Sequence, residues 1–302
     1  MPDFDPAQLT DAVLKSYAGA PDPRTRHVLR HLITHLHAFV RETELTLDEW
    51  HRAIDFLTRT GHMSGDTRQE FILLSDVLGV SMLVDTINHR AHGATESTVL
   101  GPFYVGEHRV TPHGTDLATG APGERMVVEA SVADPAGRPI AGAAVDVWHA
   151  GSDGLYDSQR PGYRLDQPDL RARFMTGPDG AFHFRTIMPH SYPVPTDGPV
   201  GELLRASGRH AMRPAHIHFL LAAPGFETLV THLFVAGDGY LDSDAVYGVK
   251  PPLIVQLEPR DEPTYPDGTP APARWQRMAY RFAMKPAPAR AAQAPTRKDI
   301  SA

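Results

Sequence analysis

Between Arg24 and Glu42 the apolar residues Val28, Leu29, Leu32, Ile33, Leu36, Phe39 and Val40 recur at the spacing of one helical face. An amphipathic helix is predicted there. Thr46 and Glu49 form the pattern in which each side chain satisfies the other's backbone N–H. A second helix should therefore start at Thr46 and run through Trp50, Ile54 and Leu57 to a stop near Gly61. A third is predicted over Arg68 to Leu78, and after Gly79 a fourth continues through Met82, Leu83 and Ile87 to His89.

Past Gly101 the apolar period changes to two, the spacing of a strand with one buried face. Arg125 to Ala133 is strand-like, Asp134-Pro135-Ala136-Gly137 is a turn, and Ala144 to His149 is a second strand. Gly177-Pro178-Asp179-Gly180 turns into another alternating segment, Ala181 to Ile187. His216 to Ala222 and Leu229 to Val235 follow, separated by Ala223-Pro224-Gly225-Phe226. Short strands between Pro/Gly turns argue for a sandwich over a parallel α/β sheet. The expected fold class is α+β, an amino-terminal helical region followed by an all-β sandwich.

Composition sharpens that division. Of 28 Pro and 25 Gly, only 4 and 5 fall in the first 100 residues, and no Pro occurs from Arg24 to Gly101. The expected organisation is a helical region over 1–105, a sandwich over 106–285 and a disordered tail over 286–302, where apolar anchors are few. The formal charge is 29 − 36 = −7, and neither half carries the basic stripe that phosphate binding needs, which argues against a nucleic-acid partner. No apolar run approaches the roughly 18 residues of a spanning helix, so the chain is not expected to be membrane-integral. The acidic start MPDFDPAQLT carries no secretory or lipidation signal, and a cytoplasmic protein is expected. With no Cys, disulfides, thiolate metal sites and Cys nucleophiles are excluded. The 17 His remain, so a metal must be held by His, carboxylate or Tyr.

The sharpest local feature is Arg213-Pro214-Ala215-His216-Ile217-His218-Phe219, at the start of a predicted strand. Side chains at i and i+2 leave a strand on one face about 7 Å apart along it, so these two imidazoles can converge on one ion. A His-x-His pair alone is a weak signal. Two turn-placed tyrosines strengthen it: Tyr156 in Trp148-His149-Ala150-Gly151-Ser152-Asp153-Gly154-Leu155-Tyr156, and Tyr192 in Ile187-Met188-Pro189-His190-Ser191-Tyr192-Pro193. With these elements in order, separated by 36, 24 and 2 residues, the chain resembles the intradiol ring-cleaving dioxygenases, catechol-type enzymes with non-haem ferric iron. The resemblance spans nearly the whole chain. It extends to Thr231-His232-Leu233-Phe234, which carries His where catechol-type members carry Gln. Together with Asp197-Gly198-Pro199-Val200-Gly201, Gly208-Arg209-His210 and the run from Leu241 to Lys250, this is similar to the branch that acts on hydroxyquinol, benzene-1,2,4-triol.

The resemblance implies one Fe(III) per subunit, held by Tyr156, Tyr192, His216, His218 and a solvent hydroxide. Phenolates and hydroxide would balance the hard trication. Tyr192 would also serve as a base when the diol binds, and Arg213 would stabilise charge developing on the ring carbon that meets O2. The product would be 3-hydroxy-cis,cis-muconate, which tautomerises to maleylacetate. Asp85, Val99, Leu100, Gly101, Pro102 and Phe103 would line the substrate pocket, with Asp85 accepting a hydrogen bond from the third ring hydroxyl; the alternative for Asp85 is a helix-surface carboxylate. A homodimer through the helical region is expected, with an apolar channel that can hold phospholipid. Catechol or a chlorocatechol is the alternative substrate, giving a cis,cis-muconate. The rival from another class is a non-catalytic, transthyretin-like carrier.

Other candidates read more plainly. His27, His31 and His35 share one helical row and are taken as solvated or dimer-contact residues, and His149 and His183 as packed or exposed strand residues. His232 lies opposite the His pair on the next strand, where it can face the site. Asp238, Asp242 and Asp244 lack the Gly and Glu of a calcium-binding loop and are read as loop caps. Tyr104, Tyr163, Tyr240 and Tyr247 have no motif that marks them as ligands.

Overall fold

The computed structural model describes residues 5–65, 68–89, 93–106, 109–164 and 166–288, so all but the first three residues of the expected tail lie outside the described chain. Two compact units divide between His62 and Met63. The division thus falls earlier than the compositional change near Gly101, and the third and fourth predicted helices belong to the same unit as the strands.

The first unit is built from α1 (Pro6–Tyr17), α2 (Pro23–Glu42) and all but the last residue of α3 (Leu47–Met63). Asp22 caps α2, accepting from Thr25 N at 2.6 Å and Arg24 N at 3.3 Å, while Pro23 fills a first-turn position whose N–H would have had no partner. At α3 the expected box forms: Thr46 N donates to Glu49 Oε2 at 2.9 Å, and Glu49 N to Thr46 Oγ1 at 3.3 Å. The sequence pattern does not single out α1, whose Leu9, Val13 and Leu14 are too few to establish a repeat. It is tied to α2 by Arg41 Nη1 donating to Thr10 Oγ1 at 2.7 Å. The apolar stripe of α2 is present but uncovered: no α2 residue is buried, and Leu32 and Leu36 are 57% and 54% exposed.

The second unit opens with α4 (Glu70–Val77) and α5 (Val80–Asn88). The remaining elements are β1 (Arg125–Ala133), β2 (Ala144–Trp148), β3 (Arg171–Met175), β4 (Ala181–Ile187), β5 (Tyr192–Pro193), α6 (Pro199–Ala206), β6 (Met212–Arg213), β7 (His216–Ala222), β8 (Leu229–Val235), β9 (Ile254–Val255), β10 (Glu258–Arg260) and β11 (Trp275–Ala283). They form a four-stranded sheet in the order β10-β11-β1-β4, a five-stranded sheet β3-β2-β7-β8-β9, and a two-stranded ladder β5-β6. Among the pairings between these described strands, β1–β11 and β8–β9 are parallel and the others antiparallel. The expected α+β architecture is what the chain adopts; in this unit the sequence pattern missed α6 and the strands β3 and β11. Pro199 starts α6, and Val200 and Leu204 on it pack against Leu73 and Val77 of α4.

One apolar core lies between the sheets. Val128, Val132, Phe182 and Phe184 of the four-stranded sheet meet Val145, Val147, Phe174, Ile217, Phe219 and Leu221 of the five-stranded one. Strand side chains alternate, so sending Ile217, Phe219 and Leu221 inward places His216, His218 and Leu220 on the outer face of β7. That outer face is buried too, beneath a smaller cluster in which Tyr156 and Tyr192 pack with Trp148 and Leu220. No described helix is long and apolar enough to cross a membrane.

Candidate metal centre and active site

Strand register assembles the site. Pairing across β2, β7 and β8 sets Trp148, His218 and His232 in one row. The His218 ring lies nearly parallel to Trp148, at 4.7 Å and 14°, and perpendicular to His232, at 4.1 Å and 88°, so its two strand neighbours fix its plane. The β5–β6 ladder pairs Tyr192 with Arg213. Tyr156 arrives on a tight loop in which Gly154 N donates to Gly151 O at 3.0 Å and Gly154 has φ 76°. A Cβ at 154 would stand 3.0 Å from Tyr192 Cβ, so the two tyrosine-bearing segments can approach this closely only over a glycine.

Four side-chain tips then meet in a buried ring. Tyr156 Oη lies 2.8 Å from Tyr192 Oη and 2.8 Å from His218 Nε2; Tyr192 Oη lies 3.2 Å from His216 Nε2, which is 3.2 Å from His218 Nε2. None of the four residues is more than 4% exposed. Ligands on one ion at about 2 Å stand about 3 Å apart, so this donor set fits a single metal ion. His216 is oriented by its other nitrogen, Nδ1, 2.6 Å from Pro214 O. His232 completes the only group of three or more His, Asp or Glu close enough to share an ion among the described residues.

Electrostatics point the same way. Burial, and then its neighbour Tyr192, push the Tyr156 phenol well above its ordinary pKa, and burial raises Tyr192. Burial drives His216 and His218 well below the usual imidazole value. The ring is therefore neutral on its own, and a multivalent cation at its centre is what would ionise the phenols. Arg213 is 4% exposed and faces the ring, with Nη1 3.2 Å from His216 Nε2. Burial opposes its charge, but the ion pair with Asp244 outweighs that penalty and raises its pKa.

Asp244 is the partner that sequence reasoning missed. Its Oδ1 accepts from Arg213 Nε at 3.1 Å and from Val246 N at 3.3 Å, and its Oδ2 accepts from Gly248 N at 2.9 Å. The loop-cap reading is thus half of its role, since the same carboxylate neutralises a buried guanidinium. No local pattern could reveal this: a buried Arg requires a carboxylate, but the pair is 31 residues apart. A second omission is Asp76 on α4, which is 4% exposed, has an Oδ1 without a hydrogen-bond partner, and lies within Coulombic reach of Arg213 and Asp244. Its carboxyl is raised by burial. A cavity of ≈ 440 Å³, lined by Asp244 with Arg209, His210, Asp242 and Tyr247, also reaches the carboxylate that holds Arg213.

The predicted pocket residues divide. Gly101 packs on the site, since a Cβ there would lie 3.2 Å from His218 Cε1, and Phe103 stacks on Tyr156 at 4.4 Å and 20°. Leu100 packs against the same cluster, Val99 is half-buried and Pro102 is exposed. Asp85 does not join them through its hydrogen bonds. Its oxygens take His89 Nδ1 at 2.9 Å, Ser97 Oγ at 2.9 Å and Lys250 Nζ at 3.2 Å. His149 is buried and satisfied by Ala150 O and Thr186 Oγ1, while Tyr104 Oη donates to Asp146 at 3.0 Å.

Comparison with known proteins agrees with this geometry. Residues 99–286 match the family described as Dioxygenase, and residues 22–96 match the Catechol dioxygenase N terminus. The chain belongs to the intradiol ring-cleavage dioxygenase family. It is 52% identical to the 6-chlorohydroxyquinol 1,2-dioxygenase of Cupriavidus pinatubonensis, covering 88% of this chain and 96% of that one. It is 47% identical to the hydroxyquinol 1,2-dioxygenase of Nocardioides simplex, covering 92% and 95%. Among solved structures, the hydroxyquinol 1,2-dioxygenase of Pseudomonas putida is 45% identical over 93% of this chain and 99% of that one, with a TM-score of 0.87.

Proposed function

We propose that this enzyme cleaves hydroxyquinol between its two adjacent hydroxyls, inserting both atoms of O2 to give 3-hydroxy-cis,cis-muconate and, by tautomerisation, maleylacetate. The observation that carries the reading is the buried ring of Tyr156, Tyr192, His216 and His218 tips, each within 3.2 Å of its neighbours. That ring would hold one Fe(III), whose chemistry when bound is to take the diol as a chelating dianion and ready its ring for O2.

The chain's own groups supply the rest. Tyr192 Oη, once ionised by the bound cation, is suited to take one of the two diol protons, because burial favours its protonated form when it leaves the ion. Arg213, held by Asp244, presents a fixed positive charge to developing negative charge on the ring, which is worth most in a site closed to water. For the third hydroxyl, Asp76 is the better acceptor than Asp85, because Asp85 is already engaged by Lys250, Ser97 and His89, whereas Asp76 Oδ1 is buried and unpartnered. An unpaired buried acceptor costs about 1–3 kcal/mol, which a third hydroxyl would recover and catechol would not.

Two measurements test this. Phenolate-to-Fe(III) charge transfer should make the iron-loaded protein wine-red; a colourless preparation with full iron would reject the ligand set. O2 uptake should favour hydroxyquinol over catechol, and Asp76→Ala should erode that preference more than Asp85→Ala. A wild-type preference for catechol or a chlorocatechol would replace the substrate while leaving the chemistry.

A further inference from the structure

Arg171, on edge strand β3, takes no part in the reaction described above and stands out in no sequence pattern, yet it ties together two parts of the site. Tyr156 is followed directly by Asp157, and the Arg171 and Asp157 side chains are 2% and 6% exposed. Arg171 Nε donates to both Asp157 oxygens at 2.8 Å, and Nη2 donates to Oδ1 as well. Its remaining nitrogen, Nη1, donates to Phe103 O at 3.0 Å. Phe103 in turn stacks on the Tyr156 ring at 4.4 Å. The circuit closes: Tyr156, its chain neighbour Asp157, Arg171, Phe103, and back to Tyr156. Across the ladder, Arg171 pairs with Trp148, the residue that stacks on His218.

We propose that Arg171 is a positioning residue that holds the Tyr156 phenol in place and couples it to the pocket wall through Phe103. A planar guanidinium suits the task because its donors diverge in a fixed fork, two toward a carboxylate and one toward a carbonyl. An ammonium group could keep the charge pair but not both directions. A buried ion pair is poor grounds for inferring net stability, whereas fixing the geometry of a neighbouring ligand is a role it can fill. The inference rests on the metal-site reading above.

The test uses iron-loaded full-length protein as wild type, Arg171→Met, Arg171→Lys and Phe103→Leu, read by the visible tyrosinate band, iron release to a chelator, and KM against kcat. Arg171→Met should shift or weaken the band, speed iron release by about 10- to 100-fold and raise KM. Arg171→Lys should recover much of the band while KM stays high. Phe103→Leu should raise KM with the band unchanged. If Arg171→Met keeps the wild-type band, iron retention and KM and loses only thermal stability, the pair is an ordinary structural bridge and the proposal fails. If that variant does not fold, an Arg171→Lys protein identical to wild type in band and KM overturns the proposal equally. A wild-type protein that binds iron without a tyrosinate band would instead reject the metal-site reading, so the two failures are distinguishable.

Discussion

At residue 154 two demands coincide: a left-handed backbone with φ 76°, and a clearance of 3.0 Å between any added Cβ and Tyr192 Cβ. Gly154→Ala should therefore pay about 1–2 kcal/mol of backbone strain and also push Tyr192 away from Tyr156. The expected outcome is a lower unfolding midpoint with a weakened tyrosinate band; a variant with the wild-type band would show that the tyrosine segments have slack. His149 gives a pH prediction. Its Nδ1 lies 2.8 Å from Ala150 O, which can only accept, so Nε2 accepts from Thr186 Oγ1 at 2.7 Å and has no room for a second proton. Burial lowers its pKa to about 4. The unfolded chain's imidazole titrates near 6.5, so from there down to about pH 4 the unfolded state binds more protons. Stability is full above that window and falls through it, by about 3 kcal/mol at most from this residue. His216, His218 and His232 are shifted in the same direction, so the check is comparative: urea unfolding of His149→Asn between pH 7 and pH 4.5 should show a shallower acid loss than wild type.

At the scale of elements, the segment from Thr95 to Phe103 is fastened at one end and functional at the other. Thr95 N donates to Ala283 O at 2.8 Å, Thr98 N to Val230 O at 2.9 Å, and Thr231 Oγ1 to Glu96 O at 2.7 Å. Lys250 Nζ adds Ser97 O at 2.7 Å, Asp85 Oδ2 at 3.2 Å and Glu96 Oε2 at 3.2 Å, joining α5 to the segment. Lys250→Met would leave the Asp85 carboxylate largely buried without its cation, a loss of about 1–3 kcal/mol. Hydrogen exchange should speed up over residues 95–103 and KM should rise more than kcat falls; unchanged exchange there would mean that Lys250 does not set this segment. The Asp85 assignment shows where sequence reading stopped. Periodicity located α2 to α5 and the strands β1, β2, β4, β7 and β8, because 3.6- and 2-residue repeats are written locally, but it passed over β3 and the nine-residue β11; the motif residues named all four ring donors. It missed α1, with too few apolar positions, and α6, whose apolar residues pack in a single turn against α4. Which buried carboxylate faces Arg213, and that Asp85 is taken by Lys250, depend on pairings 31 and 165 residues apart that no spacing rule encodes.

At the scale of the whole molecule, the apolar faces of α2 and α3 demand an occupant. Val28, Leu32, Leu36 and Phe39 on α2 and Trp50, Ile54 and Leu57 on α3 are each 43–57% exposed, which single scattered surface residues would not require explaining but a continuous helical stripe does. We propose a second copy of this chain as that occupant, with phospholipid as the ligand that the same resemblance in the helical region implies. Burying two or three leucine side chains contributes about 1.5–3 kcal/mol each, and an exposed carboxylate in their place would need desolvating, so the stripe is sensitive to charge. Sedimentation at micromolar concentration should give a dimer for wild type and a monomer for Leu32→Glu combined with Leu36→Glu. The iron and tyrosinate band should survive in that monomer, because Tyr156, Tyr192, His216 and His218 all belong to the other compact unit. Solvent extraction of the wild-type protein followed by mass spectrometry reads the lipid directly. A wild-type monomer at micromolar concentration would reject the dimer, whereas a dimer that persists in the double variant would place the interface elsewhere than on the α2 stripe.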